Sequence, residues 1–395
     1  MSTDANRGKR TQTKSRTNKK KKSKKGRIIL FAVELLIIVG MLIVLWKLRD
    51  FGNQSISRVE FKPGEIVVNQ QVQENVQLKG YRNIALFGVD SRNGSLGRRD
   101  ENGKKTESAT LSDSIIIASI NMDTGDVKLV SVYRDTYLNL MSYKNDESYK
   151  NLTDGKYSKC NSAYSAGGPA QAINMLNTNL DLNIEDFVTV GFEGLKNAID
   201  ELGGVWIEVD SAEIKHINNY QMTMAKDLDC DYKSVTKTGY QKLDGLQAVA
   251  YCRIRYTGGS DYKRAERQRE VIQAIVEEAR QANVETLIKI ANKITESDVV
   301  YTSLDLEDIT SLIKDIAKYK IVEEGGFPLE TYRGTADMGD SGNCVLTLDL
   351  EKNVQWLHGF LFEDEDYKVS ENVSDISDQI RQKISKYEPN MKYPE

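Results

Sequence analysis

The sequence predicts one layered α/β domain between about residues 80 and 360. Short apolar runs rich in β-branched residues occur at 83–89, 114–121 and 127–132, and they are more continuous than alternating. Such runs are typical of strands that are covered on both faces. Apolar residues at helical spacing follow, for example at 168–180. The alternation of strands and helices favours a sheet with helices packed against it.

The individual elements follow in chain order. Gly125 lies between the second and third strands and predicts a hairpin turn, and Pro169 lies near the first turn of the helix at 168–180. We expect a loop at 331–347 because this stretch is Gly-rich and has few core residues. The other elements are a short strand at 65–69, a strand at 187–192, a helix at 193–202 ending at Gly203-Gly204, a strand at 205–209, a helix at 243–250, a helix from Ser260 or Asp261 to about Gln281, and mainly helix at 286–322.

The N-terminus predicts a membrane anchor. Residues 1–27 carry twelve Lys or Arg residues against a single Asp, which is typical of a disordered basic tail. Residues 28–48 are almost continuously apolar, long enough to span a bilayer core of about 30 Å, and no cleavage site follows them. Because basic segments stay in the cytoplasm, residues 49–80 are expected to form an extracellular stalk and residues 81–365 an extracellular domain. Residues 366–395 are expected to be a weakly ordered acidic tail.

The charge balance excludes some partners. The chain has 54 Lys and Arg and 58 Asp and Glu, and removal of the basic tail leaves a formal net charge of −15 for residues 28–395. An acidic exterior argues against nucleic-acid binding. Attraction of the tail to anionic membrane lipid is the simpler expectation.

Cysteine and histidine usage gives little support to other catalytic chemistry. The four cysteines show no zinc-type spacing, and their pairing is left open among three complete connectivities. With only His216 and His358, a histidine-rich metal site or Ser-His catalysis has few candidates.

A dense set of arginines follows the predicted helix at 243–250. Arg253 and Arg255 are two residues apart, so in an extended strand both would project from one face, opposite Ile254. Arg264 and Gln268 are four apart and share a helix face. Crowded guanidinium groups repel one another unless an anion lies among them, and their forked geometry matches phosphate oxygens. The pattern indicates a diphosphate site.

Three other charged residues coincide with predicted strand ends. Asp90 follows the first strand, Asp113 begins the second, and Arg134 follows the third. Ligands of α/β proteins usually bind at such ends. Because Mg²⁺ takes one or two carboxylates with phosphate oxygens and water, Asp90 and Asp113 are the candidate ligands, with Mn²⁺ as an alternative ion. Arg134 would join the other arginines in neutralising the phosphates.

Eight motifs occur in order along the chain and carry a family resemblance. They are GVDSR (88–92), SDS (112–114), SVYRDT (131–136), KCNSAYSAGGP (159–169), VGFEG (190–194), IDELGGVWIEV (199–209), LDGLQAVAYCRIRY (243–256) and DYKRAERQREV (261–271). The succession resembles the LytR–CpsA–Psr family of bacterial cell-envelope proteins over roughly residues 80–280, and less distinctly to about 365.

The resemblance implies a three-layer α/β/α sandwich with a central mixed sheet, behind one transmembrane helix. It implies a phosphotransferase that moves a glycopolymer from a polyprenyl-pyrophosphate carrier to peptidoglycan, with the lipid in an apolar tunnel. It also implies the roles of the site residues. Asp90 and Asp113 would hold Mg²⁺, and Asp261 would orient the arginines or accept a proton from the acceptor hydroxyl. The pyrophosphate contacts would come from Arg134, Arg253, Arg255, Arg264, Gln268, Arg267 and Arg92.

One position departs from the family pattern. An arginine commonly lies just ahead of the Ser/Thr-Asp-Ser/Thr motif, whereas this chain has Thr110 and Leu111 there. Arg92, Arg98 or Arg99 could substitute for it.

Two alternatives to glycopolymer transfer stay open. One is a polyprenyl-pyrophosphate phosphatase that uses water as the acceptor at the same site. The other is a non-catalytic, membrane-anchored envelope regulator, which would have no need for the carboxylates and arginines.

Overall fold

The fold is built around a mixed β-sheet. The computed structural model describes residues 59–90, 96, 111–140, 155–255, 260–296, 299–390 and 392. The strands in these residues are β1 (Tyr81–Val89), β2 (Ser112–Asn121), β3 (Asp126–Val132), β4 (Tyr137–Asn139), β5 (Tyr157–Lys159), β6 (Asp186–Gly191), β7 (Val205–Val209), β8 (Gly239–Leu243), β9 (Val300–Thr302), β10 (Lys320–Phe327), β11 (Arg333–Asp337) and β12 (Asn343–Thr347).

From residue 161 onward, helices are interspersed among the strands. The α-helices are α1 (Gln70–Glu74), α2 (Asn161–Leu180), α3 (Phe192–Glu201), α4 (Ser211–Asp227), α5 (Gly245–Cys252), α6 (Ser260–Gln281), α7 (Val284–Glu296), α8 (Leu306–Asp315), α9 (Leu350–Phe362) and α10 (Glu371–Ile384). Within α2 the helical run breaks at Gly168, whose φ is 72°, and Pro169 begins the second part. The predicted start of a helix near Pro169 is therefore confirmed.

Six strands form the central sheet in the order β10-β3-β2-β1-β6-β9. β10 and β3, like β1 and β6, are parallel, whereas the other neighbours are antiparallel. Gly125 makes the predicted turn between β2 and β3. Its φ is +79°, and a Cβ there would lie 2.7 Å from the carbonyl oxygen of Lys318. The strand predicted at 205–209 is found, but it pairs with β8 in a separate two-stranded sheet.

Helices cover both faces of the central sheet. Along β2, Ile115 and Ile117 pack into a core that includes α2, α9 and α10. Ile116 and Ile120 point to the opposite face, where Ile272 of α6 packs against them. A third cluster joins α3, α4 and α5 with the antiparallel pair β7 and β8. Full burial of one such isoleucine contributes about 1.5–3 kcal/mol, so these alternating positions specify the register of the strands.

Arg253 and Arg255 do not lie on a strand, contrary to the sequence prediction. Asp244 and Gln247 form a capping box at the start of α5, and the helix continues to Cys252. All eight helical residues are buried. A helix suits this position because it supplies hydrogen bonds to its own buried backbone N–H and C=O groups. Arg253 follows in a turn, with φ −93° and ψ −8°.

The C-terminal segment is more ordered than the sequence predicts. Residues 331–347, expected to be a loop, contain the antiparallel hairpin β11–β12. Residues 371–384 form α10, and its Val373, Ile376 and Ile380 are buried in the main core. The acidic composition hides this apolar stripe, whose spacing of three and four residues is that of one helix face.

Residues 59–80 also pack against the domain. No strand is present at 65–69, because side chains of α2 take up the backbone hydrogen bonds there. Asn174 accepts from the Val67 N–H at 2.7 Å, and Asn177 donates to the Val67 carbonyl at 3.1 Å. The predicted tail at 1–27 and anchor at 28–48 lie outside the described residues. Among the described helices, none combines the length and the apolar character that a membrane crossing requires.

Candidate active site

The candidate carboxylates converge at one edge of the central sheet. Asp90 follows β1, Asp113 lies at the start of β2, and Arg134 follows β3. Because β2 is antiparallel to β1 and β3, these three positions lie at the same edge. Glycine at position 88 permits the close approach, since a Cβ there would lie 3.0 Å from the Cβ of Ser114.

Two helices bring the remaining candidates to the same edge. Arg253 and Arg255 directly follow α5, and Arg264 and Gln268 come from the first turns of α6. The two-residue spacing of Arg253 and Arg255 still places both at one cavity, while Ile254 between them is buried. The prediction of their shared direction holds although the strand that motivated it is absent.

Asp113 lies between two of the arginines. Arg134 Nη1 donates a hydrogen bond to Asp113 Oδ1, and Arg255 Nη2 lies 3.9 Å from the same oxygen. Arg253 Nη2 lies 3.6 Å from Asp90 Oδ2. The candidate metal ligands are thus ion-paired with the candidate phosphate ligands.

Asp261 lies among three arginines. Its carboxylate oxygens are 3.2 Å from Arg264 Nη1, 3.9 Å from Arg134 Nε and 4.0 Å from Arg255 Nε. One aspartate at the start of α6 therefore holds together guanidinium groups from three different elements. This position fits the predicted orienting role.

Arg264 is the most deeply buried of these arginines, and its side chain is 5% exposed. Burial lowers its pKa from 12.5 to about 10, with further lowering by Arg134 and Arg255 and an opposing effect of Asp261. Arg134 behaves differently. Burial alone would lower its pKa, but the negative charges of Asp113, Asp135 and Asp261 leave it raised.

Aromatic rings hold Arg253 in place. Its guanidinium lies 4.4 Å from the ring centre of Phe192 and 5.4 Å from that of Tyr220. Phe192 belongs to the VGFEG motif, and Tyr220 comes from α4. No local sequence pattern indicates that either ring would contact an arginine.

An apolar cavity of about 380 Å³ opens beside the charged groups. Its polar end includes Asp90, Asp113, Arg253, Arg255, Arg264 and Gln268. Its walls come from the sheet and from helices α3 to α6, including Leu86, Val188, Leu195, Val249 and Ile272. The site therefore joins an apolar chamber to a cluster of guanidinium and carboxylate groups.

One predicted site residue, Arg267, is not part of this cluster. Arg267 Nε donates a hydrogen bond to Glu213 Oε1 at 2.7 Å, and Arg267 Nη1 donates to the Ile254 carbonyl at 3.3 Å. It lines a different cavity, on the other side of α6. Arg92 lies outside the described residues, as do Arg98 and Arg99. Leu111 is 47% exposed next to Asp113.

Asp135 and Lys159 were missed by the sequence analysis. Asp135 lies 3.7 Å from Arg134 Nε and 3.3 Å from Lys159 Nζ. Both residues belong to motifs that carry the family resemblance, since Asp135 follows Arg134 within SVYRDT and Lys159 begins KCNSAYSAGGP. Only the position of β5 beside β4 shows that the two motifs meet.

The remaining titratable groups do not suggest another chemistry. All four cysteines are free thiols, and burial raises the pKa of Cys252 to about 12 and that of Cys160 further. His358 is buried against the Leu180 carbonyl at 3.2 Å. Among the described residues, no group of three or more His, Cys, Asp or Glu is arranged to hold a metal.

Comparison with known proteins agrees with this architecture. The sequence model of the LytR_cpsA_psr family matches residues 52–353. The chain is 29% identical over 323 residues to the polyisoprenyl-teichoic acid–peptidoglycan teichoic acid transferase TagU of Oceanobacillus iheyensis, covering 77% of this chain and 85% of that protein. It is 29% identical over 300 residues to TagU of Enterococcus faecalis, covering 74% and 84%.

Solved structures share the fold. The structure of TagT bound to LI-WTA superposes with a TM-score of 0.52 at 22% identity, covering 80% of this chain and 98% of that one. The superposition supports a common mixed α/β architecture. Because the family's sequence model covers most of the chain, this protein belongs to the LytR_cpsA_psr family.

Proposed function

We propose that the protein transfers a glycopolymer from a polyprenyl-pyrophosphate carrier to peptidoglycan and leaves a phosphodiester link. The observation that carries the proposal is the apolar cavity that ends at three arginines and two carboxylates, one of which, Asp113, is also paired with Arg134. An isoprenoid chain fits the apolar walls, and a diphosphate fits the guanidinium cluster. The names of the relatives, which are teichoic acid transferases, support the same reaction.

The arginines would act by charge neutralisation. Arg134, Arg253, Arg255 and Arg264 would direct their N–H groups at the diphosphate, which replaces part of their pairing with aspartates. Such preorganised donors stabilise the charge that develops on the phosphoryl oxygens and on the leaving phosphate. Gln268 lines the same end of the cavity and would add a neutral donor.

Asp90 and Asp113 would hold a divalent cation, Mg²⁺ or Mn²⁺. Both carboxylates line the cavity beside the arginines, and Mg²⁺ is commonly held by one or two carboxylates together with substrate phosphates. The donor set therefore fits the ion. When bound, the ion would neutralise diphosphate oxygens and increase the electrophilicity of the phosphorus.

We also propose that the domain works outside the cell, anchored by residues 28–48 with the N-terminus in the cytoplasm. The basic tail and the apolar segment support this orientation. Protease added to intact cells should then remove the domain and leave the N-terminal tail protected. An uncleaved domain that becomes accessible only after lysis would contradict it.

The reaction is tested with a labelled polyprenyl-pyrophosphate oligosaccharide and peptidoglycan. We expect Asp90→Ala and Arg255→Ala each to reduce transfer at least a hundredfold with the fold retained. Arg280→Ala, at the exposed end of α6, is the matched control and should transfer normally. Normal transfer by both site variants would refute the site. Release of polyprenyl phosphate without glycan attachment would identify a phosphatase instead.

A further inference from the structure

A narrow neck and an open cleft continue from the arginine cluster, beyond the charged end of the apolar cavity. Asp113, Arg264 and Gln268 line both the apolar cavity and a narrow neck of about 20 Å³. Asp135, Asp261 and Val345 line both that neck and an open cleft of about 780 Å³. The path therefore runs from the apolar cavity, through the neck between the charged groups, into the open cleft, which we call the polar cleft.

The polar cleft has walls from three parts of the chain. They are the β11–β12 hairpin with Asp337 and Asn343, the start of α6 with Tyr262, and the C-terminal segment with Tyr387, whose hydroxyl lies beside the hairpin at Gly339. The hairpin is fixed to the active site, because the N–H of Val345 donates to the Asp135 carbonyl at 2.9 Å. The cleft is thus built onto the residue that follows Arg134.

The side chains that face the polar cleft suit a sugar chain. Asp337 and Asn343 are exposed and lie opposite each other in the hairpin register. Their carboxylate and amide can exchange hydrogen bonds with vicinal hydroxyls. Tyr387 is half-buried, with its hydroxyl beside Gly339 at the hairpin tip, and provides an apolar ring with a polar end.

The direction of the proposed reaction identifies what the cleft binds. Phosphoryl transfer places the attacking and leaving oxygens roughly in line across phosphorus. If the polyprenyl phosphate leaves toward the apolar cavity, the acceptor hydroxyl must approach from the opposite side. That side is the neck, which opens into the polar cleft.

We propose that the polar cleft binds the acceptor glycan strand, with Asp337, Asn343 and Tyr387 as positioning residues. This inference rests on the proposed function. The acceptor oxygen forms a bond to the phosphorus that carries the glycopolymer, and the bridging P–O bond breaks. Its electron pair leaves on the oxygen of polyprenyl phosphate, and the hydroxyl proton passes to the carboxylate of Asp261, which lies between neck and cleft.

The test blocks the polar cleft with bulk. Asn343→Trp adds a large ring at an exposed position of the cleft wall. Asp340→Trp adds the same ring at an exposed position of the hairpin turn that does not line the cleft. Full-length protein in detergent is assayed for transfer, with the KM for a soluble, uncross-linked peptidoglycan strand and the KM for the lipid-linked donor measured separately. Direct binding of the same strand is measured by calorimetry.

Under the proposal, Asn343→Trp raises the KM and the Kd for the strand at least tenfold, and the donor KM changes less than twofold. Asn343→Ala should raise the strand KM severalfold, and Asp340→Trp should match the wild type. Equal strand binding by wild type and Asn343→Trp, or no strand binding by the wild type, would overturn the proposal. A wild type that binds the strand in the cleft yet transfers nothing would support the cleft and refute the proposed reaction.

Discussion

Arg264 allows a test in which stability and ligand binding should change in opposite directions. Its pKa is lowered from 12.5 to about 10, chiefly by burial. The folded protein therefore holds this proton less tightly than the unfolded chain does. The charged side chain destabilises the fold at every pH below about 10, and the penalty is relieved as pH rises from about 10 to 12.5.

The size of the effect follows from that difference. A pKa difference of about 2.5 corresponds to roughly 3 kcal/mol at neutral pH. The Arg264→Met variant also loses the 3.4 Å hydrogen bond to the Asp113 carbonyl. That loss offsets about 1 kcal/mol of the stability gained by removing the buried charge. We expect the variant to raise the free energy of unfolding by roughly 1–3 kcal/mol, and to weaken donor binding roughly ten- to a hundredfold by loss of charge-assisted hydrogen bonds.

Arg267 is the matched control, one turn further along α6. Its pair with Glu213 joins two side chains that are 6% and 8% exposed. Arg267→Met would leave Glu213 charged and buried, since Glu213 also accepts the Asp210 N–H at 2.9 Å in a capping box. We expect a loss of about 3–5 kcal/mol, with donor affinity retained in the folded protein.

Urea unfolding at pH 7 and donor binding are measured for both variants. Opposite changes in the free energy of unfolding, with weakened binding only for Arg264→Met, would support the reasoning. If Arg264→Met destabilised the fold and kept wild-type donor affinity, Arg264 would be a structural residue and the diphosphate site would be misplaced.

Three further predictions use single positions. Ile272→Trp should fill the apolar cavity and weaken binding of a long polyprenyl diphosphate at least tenfold. Val322→Trp, at an exposed position of the edge strand β10, should leave that affinity unchanged. Equal affinities of the two variants would contradict the assignment of the cavity to the lipid. Burial lowers the pKa of His358 from 6.5 to about 4, so the unfolded chain binds more protons in that range and the fold should lose about 2 kcal/mol between pH 7 and pH 5. In His358→Gln that part of the pH slope, measured by urea unfolding, should vanish. Leu111→Arg should tighten donor binding threefold or more, and unchanged affinity would show that the position does not reach the phosphates.

Much of the fold could be predicted because its sheet is buried on both faces. The runs that became β1, β2 and β3 are more continuous than alternating in apolar residues, and burial between two helical layers favours such continuity. The turn at Gly125 and the helix end at Gly203-Gly204 could be predicted because both need positive φ values, which glycine adopts readily. The hairpin β11–β12 and the helix α10 were missed, since their few apolar residues pack only through contacts distant in sequence.

The site could be predicted as a set of residues but not as a geometry. Asp90, Asp113 and Arg134 followed from strand ends, which are local features. Arg267 shows the limit, because one helix carries Arg264 and Arg267 to different sides and the sequence shows two equivalent arginines. The burial of Arg267 depends on its ion pair with Glu213 of α4, and the sequence near Arg267 does not predict that partner.

The charge balance of the site gives an independent reason to expect a divalent cation. Arg134, Arg253, Arg255, Arg264 and Lys159 face the four aspartates at positions 90, 113, 135 and 261, so these nine groups leave one formal positive charge. A diphosphate diester brings two negative charges, which the paired arginines alone do not balance. Asp90→Asn should therefore bind the donor more tightly than the wild type in the presence of a chelator, because it removes one opposing charge. With millimolar Mg²⁺ the order should reverse, because the wild type keeps both metal ligands. Calorimetry with and without Mg²⁺ measures both states, and a wild type whose affinity ignores Mg²⁺ would show that Asp90 serves only to hold Arg253.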